Sequence, residues 1–321
     1  MTDSPPPQSG PEGLKVAYDA LYSTSRGYMD KLLQECGGSI SVKTLHAVRD
    51  PLFGGGMPEP REEFLGDLIS LMKAEKFDLG IATDGDADRF AIVDDQGVFF
   101  TPNQLLCLLT RHLYKNHGMK GAIVRTVATT HMLDHVAAKY GLALIETPVG
   151  FKYIGEKMRT QDVLIGGEES GGVSIKGHIP EKDGILANLL VIEMLAMEGK
   201  PLSKIWQEME EEVGVRFYQR RGDLHFTAQT QKYLLAYLRQ NPIKELIGKP
   251  LLKVGDKDGL KLYHDQDNWL LIRPSGTEPV IRVSGEGTSG PLIDSLMLDF
   301  KRQIDEILIA SKEKLSSAIG N

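Results

Sequence analysis

Between residues 61 and 75 the apolar side chains Phe64, Leu65, Leu68, Ile69 and Met72 recur at i, i+3 and i+4, the repeat of a helix with one buried face. Short apolar runs lie on either side. Leu14-Lys15-Val16-Ala17-Tyr18 reads as a strand that leads into Ser23-Thr24-Ser25, a helix-capping cluster, and then a helical pattern through Leu32 and Leu33. Strands are predicted at 78–82 and 90–93. Thr101-Pro102-Asn103 opens a helix through Leu113. The pattern then alternates: strand 122–127, helix 130–140, strand 142–146, helix 153–160, strand 163–165, and a long helix over 184–197. Such alternation predicts α/β layers around mainly parallel sheet, with a boundary near residue 102 between two units.

After Gly214 the texture changes. Strands are predicted at 215–220 and 224–226, a helix at 228–239, strands at 269–272 and 280–283 around a polar turn, and a final helix at 292–314. The expected architecture is therefore α/β: two successive α/β/α layered domains, 13–101 and 102–213, followed by a C-terminal α+β domain, 214–321. Residues 1–12, rich in Pro, Ser and Gly, are expected to be a disordered lead-in. No tandem repeat is visible.

Composition narrows the function classes. With 41% hydrophobic and 25% charged residues, the 321-residue chain is ordinary globular protein. No apolar run reaches the roughly 18 residues of a membrane span. The N-terminus MTDSPPPQSGPEG has neither the basic nor the apolar region of a secretory signal. Neither Cys36 nor Cys107 belongs to a CxxC pair, and Cys107 sits in an apolar run, so a reducing, cytoplasmic setting is expected. A formal net charge of -7 argues against nucleic acid as a partner. It leaves room for a small anion held by local arginines.

Three loops carry candidate chemistry. In Thr83-Asp84-Gly85-Asp86-Ala87-Asp88-Arg89 three carboxylates alternate, and alternate residues of an extended chain face one side. Asp84, Asp86 and Asp88 thus offer hard oxygen ligands suited to Mg²⁺ or Ca²⁺. An EF-hand is rejected: its sixth and twelfth positions are Arg89 and Asp95, and the flanks are strands. In Gly166-Gly167-Glu168-Glu169-Ser170-Gly171-Gly172 the glycines allow close backbone approach to a ligand. Glu168 and Ser170, two apart, are expected to point to one side and to bind sugar hydroxyls. In Arg273-Pro274-Ser275-Gly276-Thr277-Glu278-Pro279, Ser275, Thr277 and the backbone near Gly276 can form a phosphate nest. Arg273 adds a charged fork, and Arg282 lies just beyond. The P-loop pattern is absent.

In this order the three loops resemble those of the α-D-phosphohexomutases, the phosphoglucomutase/phosphomannomutase family, whose metal loop reads DGDxDR, sugar loop GEESGG or GEMSGH, and phosphate loop RPSGTEP. Gly150-Phe151-Lys152-Tyr153-Ile154 also resembles a family segment whose lysine reaches the active site. The resemblance runs from about residue 14 to the end. It implies that Asp84, Asp86 and Asp88 hold Mg²⁺ and that Arg89 faces the transferred phosphoryl group. It also implies that Glu168 and Ser170 bind the sugar, and that Arg273, Ser275, Gly276 and Thr277, with Arg282, bind the phosphate at the non-reacting end. Lys152 is the implied acid/base or phosphate contact, and Arg125 a weaker electrostatic candidate. Gly172, where mannose-tolerant members often carry His, points to glucose. The implied ligands are glucose or mannose 1- and 6-phosphates and the 1,6-bisphosphate. His178 is read as a surface residue rather than a catalyst.

The resemblance covers the family's second to fourth domains. The first domain, which carries the phosphorylated serine in a T-x-S-H-N-P loop, is not found in this sequence. The chain is therefore read as a truncated form or fragment, inactive alone, whose missing N-terminal domain is a possible separate partner. The alternative is a non-catalytic sugar-phosphate-binding or regulatory module.

Overall fold

A computed structural model describes residues 13–36, 40–274 and 280–319, the side chains of the last helix only through Ser311. The chain divides into two compact units, 1–214 and 215–321.

The first unit repeats one topology. Its first sheet is built from β1 (Leu14–Asp19), β2 (Ile40–Leu45), β3 (Leu79–Thr83), β4 (Phe90–Asp94) and β5 (Phe99–Phe100), in the order β2-β1-β3-β4-β5. Helices α1 (Met29–Glu35) and α2 (Gly66–Ala74) provide the crossovers. After α3 (Pro102–Lys115), a second sheet forms from β6 (Ala122–Thr126), β7 (Leu144–Thr147), β8 (Val163–Gly167) and β9 (Val173–Ile175), in the order β7-β6-β8-β9. Helices α4 (Met132–Tyr140) and α5 (Phe151–Thr160) cross over within it; α6 (Gly184–Glu198) and α7 (Leu202–Val213) follow.

In both sheets the strands linked through helices pair in parallel, whereas β3–β4 and β8–β9 are antiparallel. The sheets are thus more mixed than expected. The reason is connection length: a few residues close a hairpin, while a parallel pair needs a crossover. Those two hairpin turns are the acidic loop and the glycine-rich loop. The same layout occurs twice although the sequence carries no repeat.

The prediction of a helix at 61–75 needs correction. Residues Glu62–Phe64 form a 3₁₀ turn, and α2 starts only at Gly66, with buried Leu65 as its non-helical cap. Leu65, Leu68 and Met72 then pack on Ala17, Ala82, Ala91 and Val93 of the first sheet. Each such buried side chain contributes about 1.5–3 kcal/mol. Strand β2 and helix α7 lie outside the predicted elements. Ser23 and Ser25 do not cap α1, whose start at Met29 has no side-chain cap. Their hydroxyls are spent instead on a buried network described below.

Helix α6 is apolar on most of its circumference and buried to match, with Ala187, Leu190, Val191, Met194 and Leu195 inside. It packs on β3 and β4 of the first sheet and on β9 of the second. Asn188, fully buried, donates from Nδ2 to the Ala82 carbonyl (3.0 Å). α6 therefore locks the two halves of this unit together.

The second unit consists of β10 (Tyr218–His225), α8 (Ala228–Gln240), the short β11 (Glu245–Leu246) and β12 (Lys249–Pro250), then β13 (Lys253–Gly255), β14 (Leu260–Tyr263), β15 (Trp269–Pro274), β16 (Val280–Gly287) and α9 (Gly290–Ile319). Its main sheet is antiparallel throughout, in the order β10-β16-β15-β14-β13. Leu262, Leu270, Ile272, Ile281 and Val283 face Leu234 and Leu238 of α8 and Ile293, Leu296 and Phe300 of α9 in one core. The two strands predicted at 215–220 and 224–226 are a single strand, because all eight residues of β10 pair with β16.

Candidate functional site

Asp84 to Arg89 form a tight turn between β3 and β4. The Ala87 N–H donates to the Asp84 carbonyl (3.1 Å) and the Asp84 N–H to the Arg89 carbonyl (3.3 Å); Ala87 has φ +65°. Extended alternation is therefore not what gathers the carboxylates; chain curvature does it. Asp84, Asp86 and Asp88 each bring one carboxylate oxygen within 4.8 Å of the others. Ligands on octahedral Mg²⁺, with bonds of about 2.1 Å, stand about 3.0 Å (cis) or 4.2 Å (trans) apart. A small contraction would close these oxygens on such an ion, and all three are hard donors, so the set fits Mg²⁺.

Cations hold the acids in place. Buried Asp84 accepts from Arg89 twice: Oδ2 from Nε (2.6 Å) and Oδ1 from the backbone N–H (3.0 Å). Burial pushes its carboxyl above the ordinary aspartate range, against the pull of the Arg89 hydrogen bonds and charge. Asp88 meets the Lys182 ammonium and lies 3.8 Å from Arg89 Nε. Burial tends to lower the Lys182 pKa, but the hydrogen bond and charge of Asp88 outweigh it and raise it, so the ammonium stays charged. Lys182 was not among the expected residues. Its signal is Lys182-Asp183-Gly184 at the head of the long helix. Asp183 caps α6, accepting from the Leu186 N–H (2.9 Å), and the Gly184 N–H donates to the Ala87 carbonyl (3.0 Å). A Cβ at Gly184 would stand 2.9 Å from that same carbonyl oxygen, so only glycine lets the helix start sit this close to the acidic turn.

The glycine-rich loop is the matching turn between β8 and β9. The Gly171 N–H donates to the Glu168 carbonyl (3.1 Å) and the Glu168 N–H to the Gly172 carbonyl (3.0 Å). Here too the expected alternation is replaced by a turn, and it splits the acids. Glu168 is buried, accepting from the Gly150 N–H at Oε1 (2.9 Å). Burial, then the Glu169 charge, raises its carboxyl, while Gly150 and Lys182 lower it. Glu169 accepts from Thr126 Oγ1 (3.1 Å), and Ser170 is exposed. An isolated antiparallel bridge pairs Arg89 with Gly172, so the two turns meet edge to edge. A side chain at Gly172 would collide with the stem of Lys182, which passes over it on the way to Asp88.

Beneath the acidic turn lies a chain of buried hydroxyls. Ser25 Oγ meets Tyr18 Oη (2.5 Å), Thr83 Oγ1 (2.5 Å) and Ser23 Oγ (2.7 Å). This is what the residues expected to cap α1 do. A cleft of about 380 Å³ opens here, lined among others by Ser25, Asp86, Asp88, Lys182 and Asp183. A larger cavity, about 990 Å³, lies in the C-terminal unit under Leu235 and Leu238. In the smaller cleft Asp86, Asp88 and Lys182 converge.

Other expected residues fall elsewhere. Lys152 is exposed in the first turn of α5, its ammonium 4.9 Å from the Tyr153 ring centroid. The lysine that reaches the acidic turn is Lys182. Arg125, the weaker electrostatic candidate, is a buried structural clamp: it donates to Asp134 (2.7 and 3.0 Å) and Glu146 (2.8 Å). His178 pairs with Asp183 (3.0 Å), steadying the α6 cap.

In the C-terminal unit, Arg273 on β15 and Arg282 on β16 stand directly opposite each other. Such a pair shares one sheet face, and like charges so placed are destabilising without a counter-anion. Asp258 meets Arg273 (3.1 Å), and Asp223 on β10 is the register partner of Arg282. The Arg273 Nε is buried with no hydrogen-bond partner among the described residues. Ser275, Gly276 and Thr277 lie outside the described residues, as do residues 1–12.

Two α/β/α layers followed by an antiparallel α+β unit is the layout of the phosphohexomutases. The chain belongs to the phosphoglucomutase/phosphomannomutase family. The family's α/β/α domain II matches residues 4–97, its α/β/α domain III residues 101–213, and its C-terminal domain residues 237–303; domain I is not matched. A phosphoglucomutase/phosphomannomutase of Thermococcus kodakarensis is 33% identical over 80% of this chain and 53% of its own length. Human phosphoglucomutase-1 is 28% identical over 93% of this chain and 56% of its own. A crystal structure from Thermus thermophilus, described provisionally as a phosphomannomutase, superposes with a TM-score of 0.77 at 32% identity, covering 92% of this chain and 61% of that one. The chain thus spans a little over half the length of the curated relatives it matches. Among the described residues, no helix is long and apolar enough to cross a membrane.

Proposed function

We propose that this chain carries the metal-, sugar- and phosphate-binding parts of an enzyme that interconverts hexose 1- and 6-phosphates, with glucose as the sugar and Mg²⁺ as the metal. The observation that carries the reading is the edge-to-edge meeting of the acidic and glycine-rich turns, with Lys182 reaching Asp88 from between them. Bound Mg²⁺ would neutralise charge on phosphoryl oxygens. Asp84, Asp86 and Asp88 would hold it. Arg89, fixed by Asp84, and Lys182, fixed by Asp88, add preorganised positive charge at the cleft, where a transferring phosphoryl group needs it. Glu168, its carboxyl raised above the ordinary glutamate range by burial, and Ser170 would receive the sugar hydroxyls. Arg273 and Arg282, with Ser275, Gly276 and Thr277, would take the phosphate at the non-reacting end. The division into domains at 13–101, 102–213 and 214–321 belongs to the same proposal. Cys36 and Cys107 form no disulfide, which supports a cytoplasmic setting.

Group transfer also needs a nucleophile that accepts and returns the phosphoryl group, and metal and arginine supply none. No T-x-S-H-N-P loop occurs in these 321 residues. The chain by itself is therefore proposed to bind hexose phosphate without turnover. This also keeps the second reading, a sugar-phosphate-binding or regulatory module. Calorimetry with glucose 1,6-bisphosphate and Mg²⁺, beside a coupled glucose 1-phosphate assay, tests both halves. Binding that Asp86→Ala abolishes, without turnover, is expected. No binding would reject the site, and turnover by the purified chain would reject the inactivity.

A further inference from the structure

The far end of α6 holds a second cluster of metal-ligand type, apart from the acidic turn. Helix α3 ends at Lys115 with its side chains His112 and, just beyond the helix, His117 turned toward Glu193 on α6. Glu193 Oε2 lies 3.1 Å from the Nε2 of each histidine. The three ligand atoms all lie within 4.8 Å of one another. The rings meet edge to face, centroids 4.9 Å apart. Glu193 is nine residues past Gly184, which touches the acidic turn, so about 14 Å of helix separates the two clusters.

We propose that His112, His117 and Glu193 form a binding site for a divalent transition metal, best suited to Zn²⁺, that ties the end of α3 to α6. The spacing is the first argument. Donor atoms around a tetrahedral Zn²⁺ with bonds of about 2.0–2.1 Å stand about 3.3–3.4 Å apart, and the two observed N···O separations are close to that. Donor chemistry is the second. Two imidazoles and one carboxylate favour zinc and its neighbours over Mg²⁺, which takes oxygen. This separates the site from the three-aspartate turn. Support around the ligands is the third. His112 is fully buried, and its Nδ1 lies 3.0 Å from the Asn116 side-chain amide. With the Asn116 oxygen turned to that nitrogen, Nδ1–H donates and the Nε2 lone pair is free for a metal. The rotation reverses the bond to His112, gives up a 3.4 Å contact from Asn116 to Glu198 and turns the amide oxygen toward that carboxylate, which Arg111 holds (2.6 Å). Exposure is the last. His117 and Glu193 are about one-third and two-fifths exposed, which leaves an entry path and room for a water as fourth ligand.

In the metal-free protein the carboxylate accepts hydrogen bonds from both imidazoles, and that hydrogen-bonded arrangement needs little movement to exchange its protons for an ion. Because the metal binds the folded arrangement alone, it raises the stability of the first unit.

The test uses the whole chain carrying Asp86→Ala, so that the acidic turn does not contribute. It is titrated with Zn²⁺ alone by calorimetry and with Co²⁺ by visible absorption. One ion per chain is expected, with the intense absorption of tetrahedral Co²⁺ and a raised Tm. His117→Ala, at a partly exposed position beyond the helix, and Glu193→Gln should each weaken binding by more than the roughly 10–100-fold that loss of a supporting partner costs. Asn116→Ala should fall within that range. Zn²⁺ affinity unaltered in both His117→Ala and Glu193→Gln, an octahedral Co²⁺ spectrum, or no binding at all would overturn the assignment. Circular dichroism of each variant without metal shows whether its fold is intact. Failure here leaves the sugar-phosphate reading untouched, because that reading rests on the other end of α6.

Discussion

Replacing Lys182 with methionine removes an ammonium from the cleft but keeps an unbranched stem of similar length across Gly172. In the structure that ammonium is bound to Asp88, and both side chains are about one-quarter exposed. A metal that needs an Asp88 oxygen must first displace or share this contact. A charge-assisted hydrogen bond of this kind is worth about 1.5–3 kcal/mol, and partial exposure places it at the low end. About 1.4 kcal/mol is tenfold in affinity. Lys182→Met should therefore tighten Mg²⁺ binding by about tenfold, with relief of cation–cation repulsion acting in the same direction. Hexose bisphosphate should bind more weakly, because its phosphate loses a positive neighbour. Calorimetric titration of Mg²⁺ at fixed pH and ionic strength measures the first effect, with Asp86→Ala as the non-binding control. Mg²⁺ affinity that is unchanged or weaker in Lys182→Met would refute the view that Lys182 occupies a ligand oxygen of the metal site.

Arg125→Met should destabilise the first unit by about 3 kcal/mol in urea unfolding, the low end for removing one partner of a buried ion pair, because Asp134 and Glu146 still reach water; an unchanged midpoint would return Arg125 to the candidate ligand contacts. Arg273→Ala should weaken glucose 6-phosphate binding by about 1.5–3 kcal/mol, and equal wild-type affinity for glucose and its phosphate would contradict the anion site. Burial, ahead of the lowering by the Leu21 N–H and His46, raises the carboxyl of Asp19 above its ordinary 3.8, so the folded state holds that proton more tightly. Its contribution to stability is full below the unfolded value and is lost as pH rises through the folded one. Asp19→Asn should gain on the wild type in urea midpoint from acid to neutral pH, and parallel pH profiles would rule out burial as the cause.

What was legible along the chain was local. The i, i+3, i+4 spacing of Leu65, Leu68 and Met72 marks a helix because one face must be buried. Thr101-Pro102 marks the start of α3 because the threonine caps it, accepting from the Gln104 N–H (3.3 Å). The acidic and glycine-rich loops stand out because runs of Asp or Gly have no place in an apolar strand. Where neighbours in space decide, the pattern fails. The polar break in Tyr218–His225 reads as a gap, yet pairing with β16 carries the strand through it. Ile40–Leu45, with only intermediate and exposed positions on the sheet edge, leaves too faint an apolar signal to be recognised.

The sequence alone could nominate Asp84, Asp86, Asp88, Glu168 and Arg273, since residue type and spacing carry that much. It could not tell that turns rather than extended chain gather the acids. Nor could it separate Arg125, buried between two carboxylates, from an arginine free to meet substrate. Lys182 over Lys152 at the acidic turn, the Arg89–Gly172 bridge, and the meeting of His112, His117 and Glu193 were decided only by packing. Each joins residues 76 to 94 positions apart along the chain. Such encounters depend on where α6 lies against both sheets, and no periodicity within a single segment encodes that.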